Sequence, residues 1–404
     1  MAQKQKSNES AGQAEKAYRF PCPVHKKCGG CQLTNLRYAG QLSYKQARCI
    51  KLLGRFGHVE EILSTGRPFY YRNKVQAAFG RTRSGQIISG VYQSSTHNIV
   101  KVDSCLLEDK RADKIIVDIR NLITAFSLGV YNENTGEGFL RHVLVKVARG
   151  TGEVMVVLVT GTPVFKSKNA FLEALIKKHP EITTVVQSVN DRFTSLVLGN
   201  EEHVLYGEGT ITDELMGKRF VISPRSFYQI NYDGTQILYK KALEYADIGK
   251  DDVVMDAYAG VGTIGILASD RAKEVLSVEL NPDAVKDAKL NARLNGVTNV
   301  RFICADATRF LTEAVGELQP DVLIMDPPRA GSTVPFMKSV CAIAPGRIVY
   351  VSCNPETLAR DLQYFVTHGY KVKKIQPVDM FPNTSHVECV VSITRAEEWT
   401  NNSL

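Results

Sequence analysis

The run Val253-Val-Met-Asp-Ala-Tyr-Ala-Gly-Val-Gly-Thr-Ile-Gly265 passes from an apolar strand through a glycine-rich turn into an apolar helix, and no other stretch restricts the fold so strongly. Glycines let a backbone approach a ligand closely, and an acidic residue about 20 positions on takes ribose hydroxyls in nucleotide-binding βαβ units. Glu279 closes the next strand, Glu274-Val-Leu-Ser-Val-Glu279, in that place.

The rest of the half-chain separates the candidate nucleotides. Strand Val300–Asp306 ends in an acid, and Asp321-Val-Leu-Ile-Met-Asp-Pro-Pro-Arg329 carries another before two prolines. Tyr370–Ile375 and Val387–Thr394 alternate with period two and read as a hairpin added after the last crossover. A parallel sheet finished by an antiparallel hairpin predicts a class I, Rossmann-like α/β methyltransferase fold binding S-adenosylmethionine. A hydride-transferring dehydrogenase fits less well, because its second glycine-linked half is missing.

Cys353 lies in Arg347-Ile-Val-Tyr-Val-Ser-Cys-Asn-Pro-Glu356, where an apolar strand delivers a thiol to the carboxyl edge of that sheet. Asn354 is placed to cap the following helix, and Pro355 suits its first turn. The positive end of that helix is expected to favour the thiolate.

Ser226-Phe-Tyr-Gln-Ile-Asn231, the glycine turn, Asp326-Pro-Pro-Arg329, Ser352-Cys-Asn-Pro355 and His386-Val-Glu388 follow one another in this order. In that combination the chain resembles the RNA (uracil-5-)-methyltransferases over about residues 19 to 395, and most of all their iron-sulfur type acting on 23S ribosomal RNA. Uracil C5 is too weakly nucleophilic to take a methyl group from a sulfonium, so a thiolate must first add at C6 and a base must later remove the C5 proton. The resemblance implies Cys353 as that nucleophile and Glu388 as that base. It also implies that Gln229, Tyr258, Glu279 and Asp326 contact the donor or lie between donor and base, with Asp306 near the adenosine. An RNA cytosine-5 methyltransferase, the rival covalent chemistry, usually carries a cysteine where this chain has Arg329. A tRNA substrate stays open, as does a non-catalytic RNA-binding role.

A second constellation lies upstream: Cys22, Cys28 and Cys31, with Cys105 as a remote fourth. Four thiolates hold either tetrahedral zinc or a four-iron cluster, and the spacing does not separate them. The resemblance implies [4Fe-4S]. Radical enzymes use a different, tighter cysteine spacing, so the expected cluster is structural, and its oxidation is expected to disturb folding or RNA affinity before methyl transfer. Cys49, Cys304, Cys341 and Cys389 are expected to be packed thiols.

Charge agrees with a nucleic-acid partner by region. The chain of 404 residues carries net +8, yet its first 100 residues hold 16 Lys or Arg against 4 Asp or Glu, leaving the remainder net negative. Tyr70, Tyr71, Phe79 and Tyr92, interleaved with Arg72, Lys74, Arg81 and Arg83, are candidates for stacking on unpaired bases. Arg141 and His142 are candidates for RNA contact. Chemistry on both ring faces requires a splayed-out uridine, most cheaply from an unpaired loop.

The expected organisation is a disordered tail at 1–18, a mixed α+β domain with the cysteine cluster at 19–220, and the methyltransferase domain at 221–404, the boundary falling near Met216–Ile222. Many relatives carry an additional small β-barrel at the front, which the tail is too short to form. No apolar run approaches a membrane span and no signal-peptide core appears, so a cytoplasmic monomer is expected, acting on RNA rather than DNA.

Overall fold

The computed structural model describes residues 20–194 and 196–396, so the expected tail at 1–18 lies outside the described residues. The chain opens with α1 (His25–Cys28) and α2 (Tyr38–Leu53). Strands β1 (Lys74–Arg81), β2 (Ile87–Tyr92) and β3 (Ile99–Lys101) lead to α3 (Lys110–Ala125), then β4 (Leu140–Val147) and β5 (Val154–Thr160). Helix α4 (Lys168–Lys178) crosses to β6 (Ile182–Val189) and β7 (Glu201–Tyr206), and a hairpin of β8 (Ile211–Leu215) and β9 (Lys218–Ile222) follows.

The first sheet runs β3-β2-β1-β4-β5-β6-β7 and is antiparallel except where α4 makes β6 parallel to β5. Every residue of β4 and β5 is buried, because both faces are covered. On one side α3 and α4 supply Ile115, Ile119, Phe171 and Leu175. On the other, Leu144, Met155 and Val157 meet Ile211 and Ile222 of the hairpin. The stretch Met216–Ile222 is thus the turn and second strand of this hairpin, whose backbone is held by Asn291 and Asn295 side chains accepting from Val221 and Arg219.

Beyond it come α5 (Tyr232–Ala246), β10 (Val253–Ala257), α6 (Thr263–Ala268), β11 (Glu274–Glu279), α7 (Pro282–Leu294) and β12 (Val300–Cys304). Then follow α8 (Ala307–Glu313), β13 (Val322–Met325), α9 (Val334–Ile343), β14 (Arg347–Ser352), α10 (Pro355–Thr367), β15 (Tyr370–Val378) and β16 (Glu388–Arg395). The second sheet has the order β12-β11-β10-β13-β14-β16-β15. Its first five strands are parallel, and β16 is antiparallel to both its neighbours. This is the Rossmann-like methyltransferase arrangement with its finishing hairpin. The wholly apolar β13, buried throughout, is what a strand covered by helices on both faces requires.

Two cores clad this sheet. One holds Leu238, Leu243, Ile266 and Leu267 from α5 and α6. The other holds Phe336, Leu358, Leu362 and Phe365 from α9 and α10, and it also takes Cys49 and Leu53 from α2. Helix α2 therefore packs on a sheet formed some 200 residues further along the chain. The segment behind it continues the contact: Glu60 N–H donates to Ile375 O at 2.8 Å and Leu63 N–H to Pro377 O at 3.0 Å. Residues 59–63 thereby cover the open edge of β15. Among the described residues, no helix is long and apolar enough to cross a membrane.

Candidate active site

At the carboxyl ends of β10, β11, β13 and β14 the chain must turn back, and parallel sheets leave a crevice there for ligands. Here that crevice is a cavity of about 770 Å³. Gln229, Tyr258, Glu279, Asp306, Asp326, Cys353 and Glu388, each expected from the sequence, all line it.

The glycine turn forms one wall. Gly262 has φ +80°, and a side chain there would strike Phe302 and Ala288. Gly265 lies so near β11 that a Cβ would collide with Ser277 Oγ. Its N–H donates to the buried Asp256 at 2.9 Å, a carboxyl that burial raises to about 7. Asp256 lies behind this wall and holds the turn without lining the cavity, a role sequence reasoning misses; its signal is an acid at an otherwise apolar strand end. Tyr258, in the left-handed region at φ +66°, lays its ring 5.4 Å from that of Phe336 while also facing the cavity. Glu279 accepts from Gly260 N–H and Asn281 N–H, each at 2.8 Å. Each carboxylate oxygen keeps capacity for a further donor, as ribose hydroxyls would provide. Asp306 caps α8 by accepting from Arg309 N–H at 2.9 Å.

The opposite wall carries the candidate chemistry. Asn354 caps α10 through Glu356 N–H, and Pro355 occupies the first turn, as expected. The register of β14 with β16 ends by pairing Ser352 with Cys389, so Cys353 follows and Glu388 precedes that last pair, and both line the cavity. Glu388 is only 5% exposed, and burial, helped by the Asp326 charge, raises its carboxyl to about 8. Burial likewise raises Asp326 to about 7. The Cys353 thiol is pushed up to about 11 by burial first, then by Glu388 and Asp326, with Arg329 offsetting part. This corrects the expectation that the helix end favours the thiolate. Cys353 precedes the capping residue, and burial beside two carboxyls outweighs the helix dipole, whose effect fades within a turn.

Phe227 lines the same cavity and is 65% exposed, a bare ring available to stack on a planar base. It stands in the Ser226–Asn231 run, where the sequence alone does not set it apart from packed aromatics. Several other candidates are taken by structure. Phe79 is core, and the buried Tyr71 donates its hydroxyl to Pro382 O at 3.1 Å. Tyr92 donates to Glu133, and Tyr70 lies under Lys110. Arg141 is buried, donating to Asn190 O at 2.6 Å and Arg192 O at 2.9 Å, and His142 is buried beside it. Cys49, Cys389 and Cys341 are packed, but Cys304 is exposed on the edge strand β12.

Cys22, Cys28, Cys31 and Cys105 line one small cavity of about 90 Å³ walled by Phe20 and Leu107. The Cys31 thiol is pushed up to about 11 by burial and by Cys28 and Cys22 beside it. Among the described residues, no group of three or more His, Cys, Asp or Glu side chains is gathered so that it could hold a metal ion.

The family of tRNA (Uracil-5-)-methyltransferases matches residues 198–396. An uncharacterized RNA methyltransferase of Oceanobacillus iheyensis is 42% identical over 380 residues, covering 92% of this chain and 82% of that protein. Another from Bacillus cereus is 40% identical over 383 residues, covering 93% and 83%. The crystal structure of Pyrococcus abyssi tRNA (uracil-54, C5)-methyltransferase in complex with S-adenosyl-L-homocysteine superposes with a TM-score of 0.77 at 31% identity, covering 90% of this chain and 86% of that one.

Proposed function

Because the chain belongs to the S-adenosylmethionine-dependent RNA uracil-5-methyltransferase family, we propose that it methylates C5 of a uridine in 23S ribosomal RNA through a covalent Cys353 adduct. The observation that carries this reading is the cavity shared by Glu279, Cys353 and Glu388. Residues 221–404 perform the transfer in this account, and residues 19–220 carry the cluster and hold RNA.

Bound S-adenosylmethionine supplies an electrophilic methyl group, and Glu279 and Asp306 hold its adenosine end. Cys353 Sγ, having lost its proton, adds to C6 of the splayed-out uracil, and the C5–C6 π pair moves toward O4 as an enolate. C5 then takes the methyl group as the methyl–sulfur bond of the donor breaks, its electron pair staying on sulfur to leave S-adenosylhomocysteine. Glu388 removes the C5 proton, the double bond re-forms, and the sulfur–C6 bond breaks to free the thiolate. Glu388 suits this task because its raised carboxyl is poised near neutrality rather than fully ionised.

Cys22, Cys28, Cys31 and Cys105 are proposed to hold a [4Fe-4S] cluster that cross-links the amino-terminal loop to residues 104–108. Its support is the sequence resemblance to the iron-sulfur type and the shared four-thiol cavity. The cluster takes no part in methyl transfer. Anaerobic purification should yield about four iron atoms per chain, lost on Cys105→Ser; zinc instead of iron would reject the assignment.

The sequence resemblance to the iron-sulfur type acting on 23S ribosomal RNA is what favours 23S RNA. The likeness to the Pyrococcus abyssi enzyme favours a tRNA substrate as the second reading. Mapping 5-methyluridine in 23S RNA and in tRNA from cells with and without the gene decides between them: loss from 23S RNA is expected, and loss from tRNA alone would overturn the first reading.

A further inference from the structure

The connection between β15 and β16, residues 379–387, ends at Glu388 and has short turns of its own, Thr384 N–H donating to Phe381 O at 3.2 Å. Much of the rest of its hold comes from the amino-terminal segment. Asp379 N–H donates to Leu63 O at 2.8 Å. Its carboxylate takes Lys45 Nζ at 2.5 Å on one oxygen and the Tyr38 hydroxyl at 2.9 Å on the other. Lys45 and Asp379 are both 0% exposed, and Lys45 donates again to Phe381 O at 3.0 Å. Gln41 then reads Asn383 from both sides, accepting from its N–H at 2.8 Å and donating to its Oδ1 at 3.0 Å. Asn383 sits at φ +69°, a left-handed conformation that needs such support. Finally Arg48 donates to Ser385 O at 2.7 Å, and Cys49 Sγ touches Cys389 Sγ at 3.8 Å, one residue past Glu388.

We propose that α2 is the positioning element for the base: Lys45 and Gln41 set the 379–387 connection and hence the reach of Glu388 to the C5 proton. This rests on the reading of Glu388 given above. A buried ion pair is a poor source of net stability, and breaking it by removing one partner leaves a charge uncompensated, so Lys45 and Asp379 hold each other in one place. The connection has polar groups facing α2 at four successive places, so a shift of register would leave several of them buried and unpaired. Neither Lys45 nor Gln41 lines the donor cavity, so their effect must pass through Glu388.

The consequence is a particular kind of defect. If the base is misplaced while Cys353 is not, addition to C6 and methylation proceed and elimination stalls. The full-length protein with S-adenosylmethionine and bulk RNA from cells lacking the gene provides the test. Lys45→Met and Gln41→Met are compared with Glu388→Gln, which tests the base reading alone. Turnover should fall about 10- to 100-fold, as expected for a displacement near 1 Å, while the fraction of protein shifted as an RNA adduct on a denaturing gel rises. Affinity for S-adenosylhomocysteine should not change. Should Lys45→Met fail to fold, Gln41→Met and Tyr38→Phe carry the comparison. Turnover that is unaltered, or lowered without added adduct while Glu388→Gln does accumulate it, overturns the positioning role. No adduct from Glu388→Gln would show instead that the base is misassigned, and this proposal would fall with it.

Discussion

Cys353 follows and Glu388 precedes the Ser352–Cys389 pair that ends the antiparallel ladder of β14 and β16. The end of that ladder brings thiol and carboxyl to one cavity, and the 379–387 connection governs what remains of their separation. Replacing Glu388 with Gln keeps the shape and removes the base. Turnover should fall by about 10²- to 10⁴-fold, the ordinary worth of a positioned proton acceptor. Covalent protein–RNA adduct should accumulate on a denaturing gel.

The same two groups make the reaction pH-dependent. Cys353 is raised to about 11 and Glu388 to about 8, and both must lose a proton to work. Steady-state kcat/KM should therefore climb by up to about a hundredfold per unit below about pH 8 and by up to about tenfold per unit from there toward about pH 11, the midpoints belonging to the coupled pair. Because the Asp326 charge raises both, Asp326→Asn should move the midpoints to lower pH even as it lowers the rate.

Glu388 also carries a cost in stability. Its folded carboxyl is raised from the ordinary 4.5 to about 8, so between those values the folded protein binds more protons than the unfolded chain. Stability contributed by the protonated form is present below about pH 4.5 and is lost as pH rises through about 8. Glu388→Gln should raise Tm at about pH 8.5, equivalent to a gain on the order of a few kcal/mol, and much less at about pH 5. Thermal scans at the two pH values check the sign.

Glu279 is held by two backbone N–H groups and faces the donor cavity. Glu279→Gln removes the charge from its hydrogen bonds. Affinity for S-adenosylhomocysteine should weaken about 10- to 100-fold, the equivalent of about 1.5–3 kcal/mol, and calorimetric titration would read it. RNA affinity should stay unchanged.

What is legible in the sequence follows from where the chemistry lies. Glu279, Asp326 and Cys353 each end or follow an apolar strand, so the pattern that marks the strand also marks the residue at its edge. Composition carries less. Phe79 reads as an exposed aromatic among basic residues, yet it faces inward on β1, because alternation gives each strand a second side. Arg141 reads as a candidate for RNA contact, yet two backbone carbonyls claim it. Periodicity shows that α2 has an apolar face but not that its partner is a sheet formed some 200 residues later. The thiol of Cys353 misleads for a similar reason. Its helix is visible in the sequence, whereas Glu388 and Asp326 reach it only through the fold.

The most direct measurement of the central claim uses RNA carrying 5-fluorouridine, whose C5 fluorine cannot be removed as a proton. The protein and S-adenosylmethionine should form a stable complex with it, and mass spectrometry of the digested complex should find the methylated pyrimidine on the peptide that contains Cys353. A modified nucleotide on any other residue, or 5-methyluridine formed at the wild-type rate by Cys353→Ala, would contradict the account.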